Sequence, residues 1–578
     1  MSVIRHIEIQ NFRTIQKLSW HPKPGLNCLI GPGDSGKSTL LDAIDLTLGA
    51  RRSYSFNDAD FYQLNTQFPL SITITLGDLH DELKNIESYG FFLRGYNATT
   101  QEILDEPQQG TETVLTIKLT VDSDLDPDWR LYSERAEADG LERRLPWKHR
   151  ELLSPARLGT TAHQNLAWGS RSILNKLSEE TLDVSSALAQ LGRQTREAFA
   201  QQQVEGVAGV LQQVQNISNG LGVPVGELKA LLDVNGISLS NGAISLHNSD
   251  NTPLRQLGTG SSRLLISGLQ KAASRSKVII VDEAEYGLEP YRITRLLNEL
   301  GSKDVESTQQ VFITTHSPYV LRELQAQQLH VMRRPTPTPT PAQVAFGPDH
   351  IQHTIYSLNG EGLQQATLRA CAESFFSKSV IVCEGKTEIG IVRGIDLYNQ
   401  EVGYRTITSK GVHCADGGGD AMFARAQIFS SLGYPTAIFK DSDKAEQHRE
   451  HRENAIAAGI SVFEWDHNRA TEDAIFTACP SAVIPELLNM AVERKGADSI
   501  NAHIQAHSNQ SVTLDDCLER FTDAQRAILA KAANKKSWFK DIEPAENVAR
   551  NIIGPNYSAF TGDLTTPVNH LFQWAIDL

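Results

Sequence analysis

The sequence predicts an α/β protein of two or three domains whose chemistry sits at the C-terminal ends of buried strands. Three observations lead there. The chain has 578 residues, too many for one hydrophobic core. Short apolar runs recur at 26–30, 277–281, 311–316, 379–383 and 436–439, the pattern of strands covered on both faces. Each run ends at or next to a residue that can do chemistry: a glycine-rich loop, an acidic pair, a histidine, a glutamate and an Asp-Ser-Asp.

Composition sets the class. Hydrophobic residues make up 40% and charged residues 21%, as in ordinary soluble proteins. No apolar run reaches the roughly 18 residues of a membrane span, and residues 1–10 alternate like a strand instead of carrying the apolar core of a secretory signal. A cytoplasmic protein without membrane association is expected. The six cysteines form no Cys-x-x-Cys pair, so zinc spacing is absent. Cys28 and Cys383 lie inside apolar runs and read as small buried side chains. The net charge of −15 argues at first against a nucleic-acid partner, yet one local basic groove suffices for such a partner. Basic clusters occur at Arg143, Arg144, Lys148, His149 and Arg150, and at Lys531, Lys535, Lys536 and Lys540. A solvated surface explains either equally well.

The run 26–30 feeds directly into Gly31-Pro32-Gly33-Asp34-Ser35-Gly36-Lys37-Ser38, and a helix is expected from Thr39 to residue 48. Strand, GxxxxGK[ST], helix is the context of a phosphate-binding loop. The glycines let backbone N–H groups curl round a β-phosphate, and the helix N-terminus adds positive potential. Lys37 would reach the β- and γ-phosphates and the Ser38 hydroxyl a Mg²⁺ ion, so ATP with Mg²⁺ is the expected ligand. Such a site needs two carboxylates more. Strand 277–281 ends in Asp282-Glu283, where Asp282 would hold the metal and Glu283 would act as general base. Strand 311–316 ends in His316, placed to contact the γ-phosphate.

Lys37 and Asp282 lie much further apart than a compact phosphate-loop domain needs, so something is inserted. Residues 172–215 are rich in Leu, Ala, Gln and Glu and read as long helices. Asn241-Gly242 then reads as a hairpin turn returning the chain to the core. Before strand 277–281 comes Gly258-Thr259-Gly260-Ser261-Ser262-Arg263, a glycine-rich turn opening an apolar helix and a second anion site. Its position resembles the signature motif of ABC ATPases, although it departs from the usual Leu-Ser-Gly-Gly-Gln. The resemblance implies that Gly258, Thr259, Gly260 and Ser261 cap the nucleotide of an opposite subunit, hence a homodimer or larger assembly.

Arg333-Arg334 leads into a Pro-Thr repeat at 335–341, a stiff exposed connector. Beyond it the α/β pattern resumes. Strand 379–383 ends in Glu384-Gly385-Lys386-Thr387-Glu388, and strand 436–439 leads to Asp441-Ser442-Asp443. Parallel strands that deliver carboxylates at one sheet edge make a site, and like charges held together call for a cation, naturally Mg²⁺ with Mn²⁺ as a substitute.

A glutamate, a glycine turn (Gly417-Gly418-Gly419) and an Asp-x-Asp, in that order, resemble a Toprim domain. An ABC-type ATPase followed by Toprim, at this length, resembles the OLD (overcoming lysogenisation defect) family of nucleases across nearly the whole chain. The resemblance implies an ATPase N-terminal lobe at 1–165, a helical dimerisation insertion at 166–235, an ATPase C-terminal lobe at 236–365 and a Toprim nuclease domain at 366–578. It implies metal ligands Glu384, Glu388, Asp441, Asp443 and Glu472 (or its neighbour Asp473), and a C-terminal lysine at the reacting phosphate, Lys536 in preference to Lys535. It further implies ATP-regulated cutting of DNA in anti-phage defence, in some members beside a helicase-like protein or a reverse transcriptase with its RNA and DNA. Two other readings compete. A RecF-like repair ATPase would use Toprim only for contacts, and would not need paired carboxylates. A topoisomerase would need a nucleophilic tyrosine on a further domain, for which the stretch after Toprim is too short.

Overall fold

The computed structural model describes residues 2–51, 53–158, 253–273, 276–304, 309–334 and 352–578, with Gln190, Leu191, Gln194 and Ser249. Apart from Gln190, Leu191 and Gln194, the helices expected within 172–215 lie outside the described residues, as do the turn at Asn241-Gly242 and the Pro-Thr repeat. Two sheets organise the rest. The strands of the first are β1 (Val3–Phe12), β2 (Ile15–Trp20), β3 (Gly25–Ile30), β4 (Leu70–Gly77), β5 (Leu93–Asn97), β6 (Glu102–Leu104), β7 (Glu112–Val121), β8 (Pro127–Tyr132), β9 (Ala156–Leu158), β10 (Val278–Val281), β11 (Gln310–Thr314), β12 (Leu329–Arg333) and β13 (Gln352–Ser357). They run in the order β6-β5-β7-β4-β1-β2-β13-β12-β3-β11-β10-β9, with β8 beside β7.

One part of this sheet is antiparallel and the other parallel. In β1 the pattern Ile4, Ile7, Ile9, Phe12 points one set of side chains into the core, and β1 pairs antiparallel with β2 and β4. By contrast β12, β3, β11, β10 and β9 are parallel throughout. Both of their faces are covered, which is why they are apolar without alternation. Leu29, Val278, Ile280 and Phe312 pack with Leu40, Leu41 and Ile44 of helix α1 (Lys37–Leu48). Ile30, Ile279, Val281 and Ile313 pack on the other side with Ile266 of α2 (Thr259–Ala273) and with Ile293 and Leu296. Because β11 lies between β3 and β10, the C-terminal ends of all three open on one edge, and residues far apart in sequence meet there.

The second sheet is β14 (Ser379–Cys383), β15 (Val412–Asp416), β16 (Thr436–Lys440) and β17 (Ser461–Glu464), ordered β15-β14-β16-β17 and wholly parallel. A single apolar core joins the two sheets. Leu329 and Val331 of β12 belong to the same cluster as Val380 and Val382 of β14, through Leu368 and Phe375. At this seam the Arg333 guanidinium lies 4.4 Å from the centre of the Tyr434 ring and donates to the Lys378 carbonyl at 2.8 Å. Helix α3 (Lys386–Glu401) follows β14, α4 (Thr471–Ala478) follows β17, and a helical region including α5 (Asp523–Lys535) completes the chain.

Candidate functional sites at two sheet edges

The first site forms where β3, β11 and β10 end. Gly31 takes φ +136°, and a Cβ there would stand 2.5 Å from the Met332 carbonyl oxygen, so only glycine fits. The helix begins at Lys37, earlier than the sequence suggests, which places Lys37 and Ser38 in its first turn. Lys37 is only 5% exposed, and its ammonium donates to the carbonyls of Gly31 (3.2 Å) and Pro32 (2.8 Å) and to the Ser35 hydroxyl (3.2 Å). Burial lowers its pKa to about 8 against the pull of Asp34 and Asp282. The Ser38 hydroxyl donates to Asp282 Oδ1 at 3.2 Å, across a sequence separation of 244 residues.

Three residues outside the expected set hold this edge together. Thr314 donates to Asp282 Oδ1 at 2.6 Å and its hydroxyl accepts the Glu283 N–H at 2.9 Å. Glu285 accepts the Thr315 hydroxyl at 2.6 Å and the His316 N–H at 2.7 Å, locking the acidic turn to the end of β11. Arg157 on β9 pairs with Asp42 at 2.5 Å and lies 3.8 Å from Asp282. Only the strand order reveals these roles. Glu283 is exposed and stands at φ +49°, a conformation non-glycine residues rarely hold without a local reason. The exposed His316 ring centre is 6.3 Å from that of Phe376, in the short segment that leads into β14.

The turn around residues 258–263 is tied to the segment after Glu283. Arg263, buried, donates to the carbonyls of Asp282 (2.6 Å) and Tyr286 (3.2 Å), and Arg292 donates to the Ser261 hydroxyl at 3.0 Å. Gly258 and Thr259 remain exposed. No hydrogen bond among the described residues joins Gly258, Thr259, Gly260 or Ser261 to the phosphate loop of the same chain.

The second site forms where β14 and β16 end side by side. Glu384 extends the ladder, its N–H donating to the Phe439 carbonyl at 2.9 Å, while its Oε2 accepts the Asp441 N–H at 3.3 Å. The glycine turn clamps the same strand end: Gly417 donates to the Cys383 carbonyl at 2.7 Å and Gly419 to that of Glu384 at 2.8 Å. A Cβ on Gly417 would approach the Cys383 oxygen to 2.4 Å. Asp441 and Asp443 lie just past the end of β16 with Ser442 turned inward, so the two acids share a face. Burial, Glu384 and Asp443 together push the Asp441 pKa up to about 9. Glu388 is buried; it accepts the Thr471 hydroxyl at 2.5 Å and the Gly385 N–H at 2.9 Å, so it also caps α3. Burial raises its pKa in spite of the Thr471 bond.

Glu472 is 2% exposed, and its Oε1 has no hydrogen-bond partner. Burial raises its pKa to about 7, opposed by Lys540 and reinforced by Glu388. The adjacent Asp473 is only half-buried. Of the C-terminal lysines, Lys540 is the one whose charge is felt at Glu472. Lys536 acts on His503, and its carbonyl accepts from Lys495.

Both sites fit the groups their chemistry implies. The first offers an ammonium, a hydroxyl–carboxylate pair and a helix start to a magnesium nucleotide. The second is a purely carboxylate donor set with one orphaned buried oxygen, suited to a hard divalent cation. Among the described residues no three His, Cys, Asp or Glu side chains are already arranged to grip one ion, so filling the cluster requires side-chain movement.

The comparisons with known proteins agree with this division. The family model “AAA domain, putative AbiEii toxin, Type IV TA system” matches residues 26–322, just over half of the chain. A second model, “Overcoming lysogenization defect protein-like, TOPRIM domain”, matches residues 375–443. Over 54 residues, 9% of this chain, the sequence is 44% identical to the DNA replication and repair protein RecF of Nitrosococcus oceani, and the match spans only 15% of that relative's length. The Smc head domain of Pyrococcus furiosus bound to the C-terminal domain of ScpA is 13% identical with a TM-score of 0.34, covering 62% of this chain and 97% of that one. The SMC head domain from Thermotoga maritima is 11% identical with a TM-score of 0.28, covering 62% and 99%. No helix among the described residues is long and apolar enough to cross a membrane. Phosphate loop, acidic strand end, and a glutamate set beside an Asp-x-Asp on parallel strands thus coincide with the two matched families, and the chain belongs to the AAA-domain family as an OLD-type protein, an ATPase joined to an OLD-like Toprim domain.

Proposed function

We propose that this protein is an ATP-regulated, divalent-metal-dependent DNA endonuclease that serves in defence against phage. The observation that carries the reading is the Asp441 carboxyl, held beside Glu384 and Asp443 at adjacent strand ends with its pKa pushed up to about 9. A module used only for contacts gains nothing from that repulsion, whereas a cation site requires it. Glu384, Asp441 and Asp443 would hold Mg²⁺ or Mn²⁺, with Glu388 and Glu472 as further carboxylates. Such ions supply charge stabilisation to the attacking and leaving oxygens of a phosphodiester. The chain's own part is to hold the acids on two adjacent strands, to fix Glu384 through the glycine turn, and to set Lys540 beside Glu472, where its charge offsets that of the reacting phosphate.

At the other edge, Lys37 and the loop of residues 31–36 would bind the phosphates of ATP. Ser38 and Asp282 would hold its metal, and Glu283 would accept a proton from the attacking water. Gly258 and Thr259 are exposed, and with Gly260 and Ser261 behind them they would complete a second copy's site, with residues 166–235 as the dimerising insertion. Two-fold pairing satisfies both sites at once. Light scattering with ATP present is expected to give a dimer or larger assembly; a monodisperse monomer would overturn the trans arrangement. DNA is the substrate of this reading, and a helicase-like protein or a reverse transcriptase with its nucleic acid are candidate partners.

Regulation has a short physical route. His316, placed to meet the γ-phosphate, is a ring's distance from Phe376, and β14 begins three residues later and ends at Cys383, directly before Glu384. Phe376→Ala is expected to leave ATP hydrolysis within about threefold of wild type while the difference between nicking with and without ATP shrinks about tenfold. Plasmid nicking measured with and without nucleotide decides it, and an unchanged ratio removes this route.

A further inference from the structure

A group of cations near the second site has no role in the chemistry above. Arg494 and Lys495 close the helix Ile484–Lys495, and Lys536 and Lys540 flank the loop that follows α5. That loop is firmly held. Trp538 and Phe539, between the two lysines, are buried at 0% and 1%, and the Trp538 indole donates to His503 Nδ1 at 3.2 Å. The helix-end cations bond to the same loop: Arg494 donates to the Trp538 carbonyl and Lys495 to the Lys536 carbonyl, both at 2.9 Å. Two glycines fix where the loop lies. A Cβ on Gly390 of α3 would meet the Ile542 carbonyl oxygen at 2.5 Å, and one on Gly394 that of Glu546 at 2.4 Å, so α3 and the helix Ile542–Val548 pack backbone to backbone. This sets Asp541 3.6 Å from Lys386, two residues past Glu384, and Lys540 near Glu472.

The charges are felt by nearby acids, Lys540 at Glu472 and Arg494 at Asp541. Yet in a chain of net charge −15, none of Arg494, Lys495, Lys536 and Lys540 is held in an ion pair among the described residues. Arg144 on the first region, by comparison, is paired with Asp128 at 2.7 Å. The crowding is felt at His503, whose pKa is lowered by burial and then by Lys536, Lys495 and His507. Neutral carbonyl acceptors orient these cations without cancelling them, which suits a polyanion that arrives from outside.

We propose that Arg494, Lys495 and Lys536 form a phosphate-binding track that grips the DNA backbone beside the cut site, with Lys540 at its inner end against the acidic cluster. The choice of DNA rests on the nuclease reading; the track itself rests on the loop and its cations. The test measures binding of a labelled DNA duplex by fluorescence anisotropy in EDTA over a salt series, on the full chain. It compares wild type, Arg494→Ala/Lys495→Ala, Lys536→Glu, and Lys410→Ala, which lies at the opposite end of the sheet, before β15. Lys536→Glu guards against misfolding, because that side chain is exposed and makes no hydrogen bond among the described residues. The first two variants are expected to bind about tenfold or more weakly, with the log–log salt slope smaller by about 0.9 for each cation removed, and Lys410→Ala to match wild type. Wild-type affinity and slope in both track variants overturn the track. Plasmid cutting by the same proteins separates the two ideas. If wild type cuts while the variants bind and cut like it, the track falls and the nuclease stands. If the variants bind less yet nothing cuts, the track stands and the nuclease falls. A duplex RNA bound more tightly than DNA overturns the assignment to DNA.

Discussion

Lys37→Ala is expected to lower ATP affinity at least about a hundredfold, on the order of two charge-assisted hydrogen bonds at ~1.5–3 kcal/mol each. The ammonium is the one cation inside the loop of residues 31–36, where Gly31 and Gly36 take positive φ against Met332. From the sequence alone, Lys37 bonds to phosphates rather than to core groups, and stability should hardly change on its loss. The structure differs: the ammonium bridges Gly31, Pro32 and Ser35 across the loop, so its loss removes bonds from the protein as well. Its buried charge is itself costly, as the pKa lowered to about 8 shows, and the two effects partly offset each other. A drop of about 1 kcal/mol in stability is expected, typical of a lost hydrogen bond. Isothermal titration with ATP and Mg²⁺, beside a thermal melt, checks both parts. Unchanged affinity in a folded variant would remove the nucleotide site.

The strands that carry the chemistry were legible because they are buried on both faces, and burial writes itself as continuous apolar sequence. Asp282, Glu384 and Asp441 could be named because each stands at or just past the end of such a run. Partners fixed by strand order were not legible. Nothing near Thr314 or Glu285 in the sequence says that β11 lies between β3 and β10, and that order is what brings Thr314 to Asp282. The C-terminal lysines show a different limit. Lys535, Lys536 and Lys540 look alike as a basic run, but Trp538 and Phe539 anchor the loop between them. With the loop held there, the charge of Lys540 is felt at Glu472 and those of Lys536 and Lys495 at His503. The start of α1 at Lys37 follows Gly36 in a left-handed conformation, a backbone turn inside the motif that side-chain patterning does not mark.

Glu384→Gln is the sharper experiment on function. The amide keeps an oxygen that can accept the Asp441 N–H, and the clamps from Gly417, Gly419 and Phe439 act on backbone, so the fold should persist with a melting temperature near wild type. What disappears is one negative charge from a cluster in which Asp441 and Glu472 are already pushed toward the neutral state by burial and by neighbouring carboxylates. Asp441 is relieved of its second-largest perturbation, and the cluster's hold on a divalent ion weakens. Plasmid nicking with Mg²⁺ or Mn²⁺ is expected to fall by several orders of magnitude, since an ion at such a site supplies most of the charge stabilisation in phosphodiester cleavage. ATP hydrolysis is expected to continue within about twofold, because Lys37, Ser38, Asp282 and Glu283 stand at the edge of the other sheet and share no hydrogen bond with Glu384 among the described residues. Phosphate release and nicking measured on the same preparation give the answer. Nicking that survives the substitution would place the cutting outside the Toprim domain. Loss of hydrolysis together with nicking would show that the two sheets, joined through the common core around Phe375 and Val380, answer to each other in both directions.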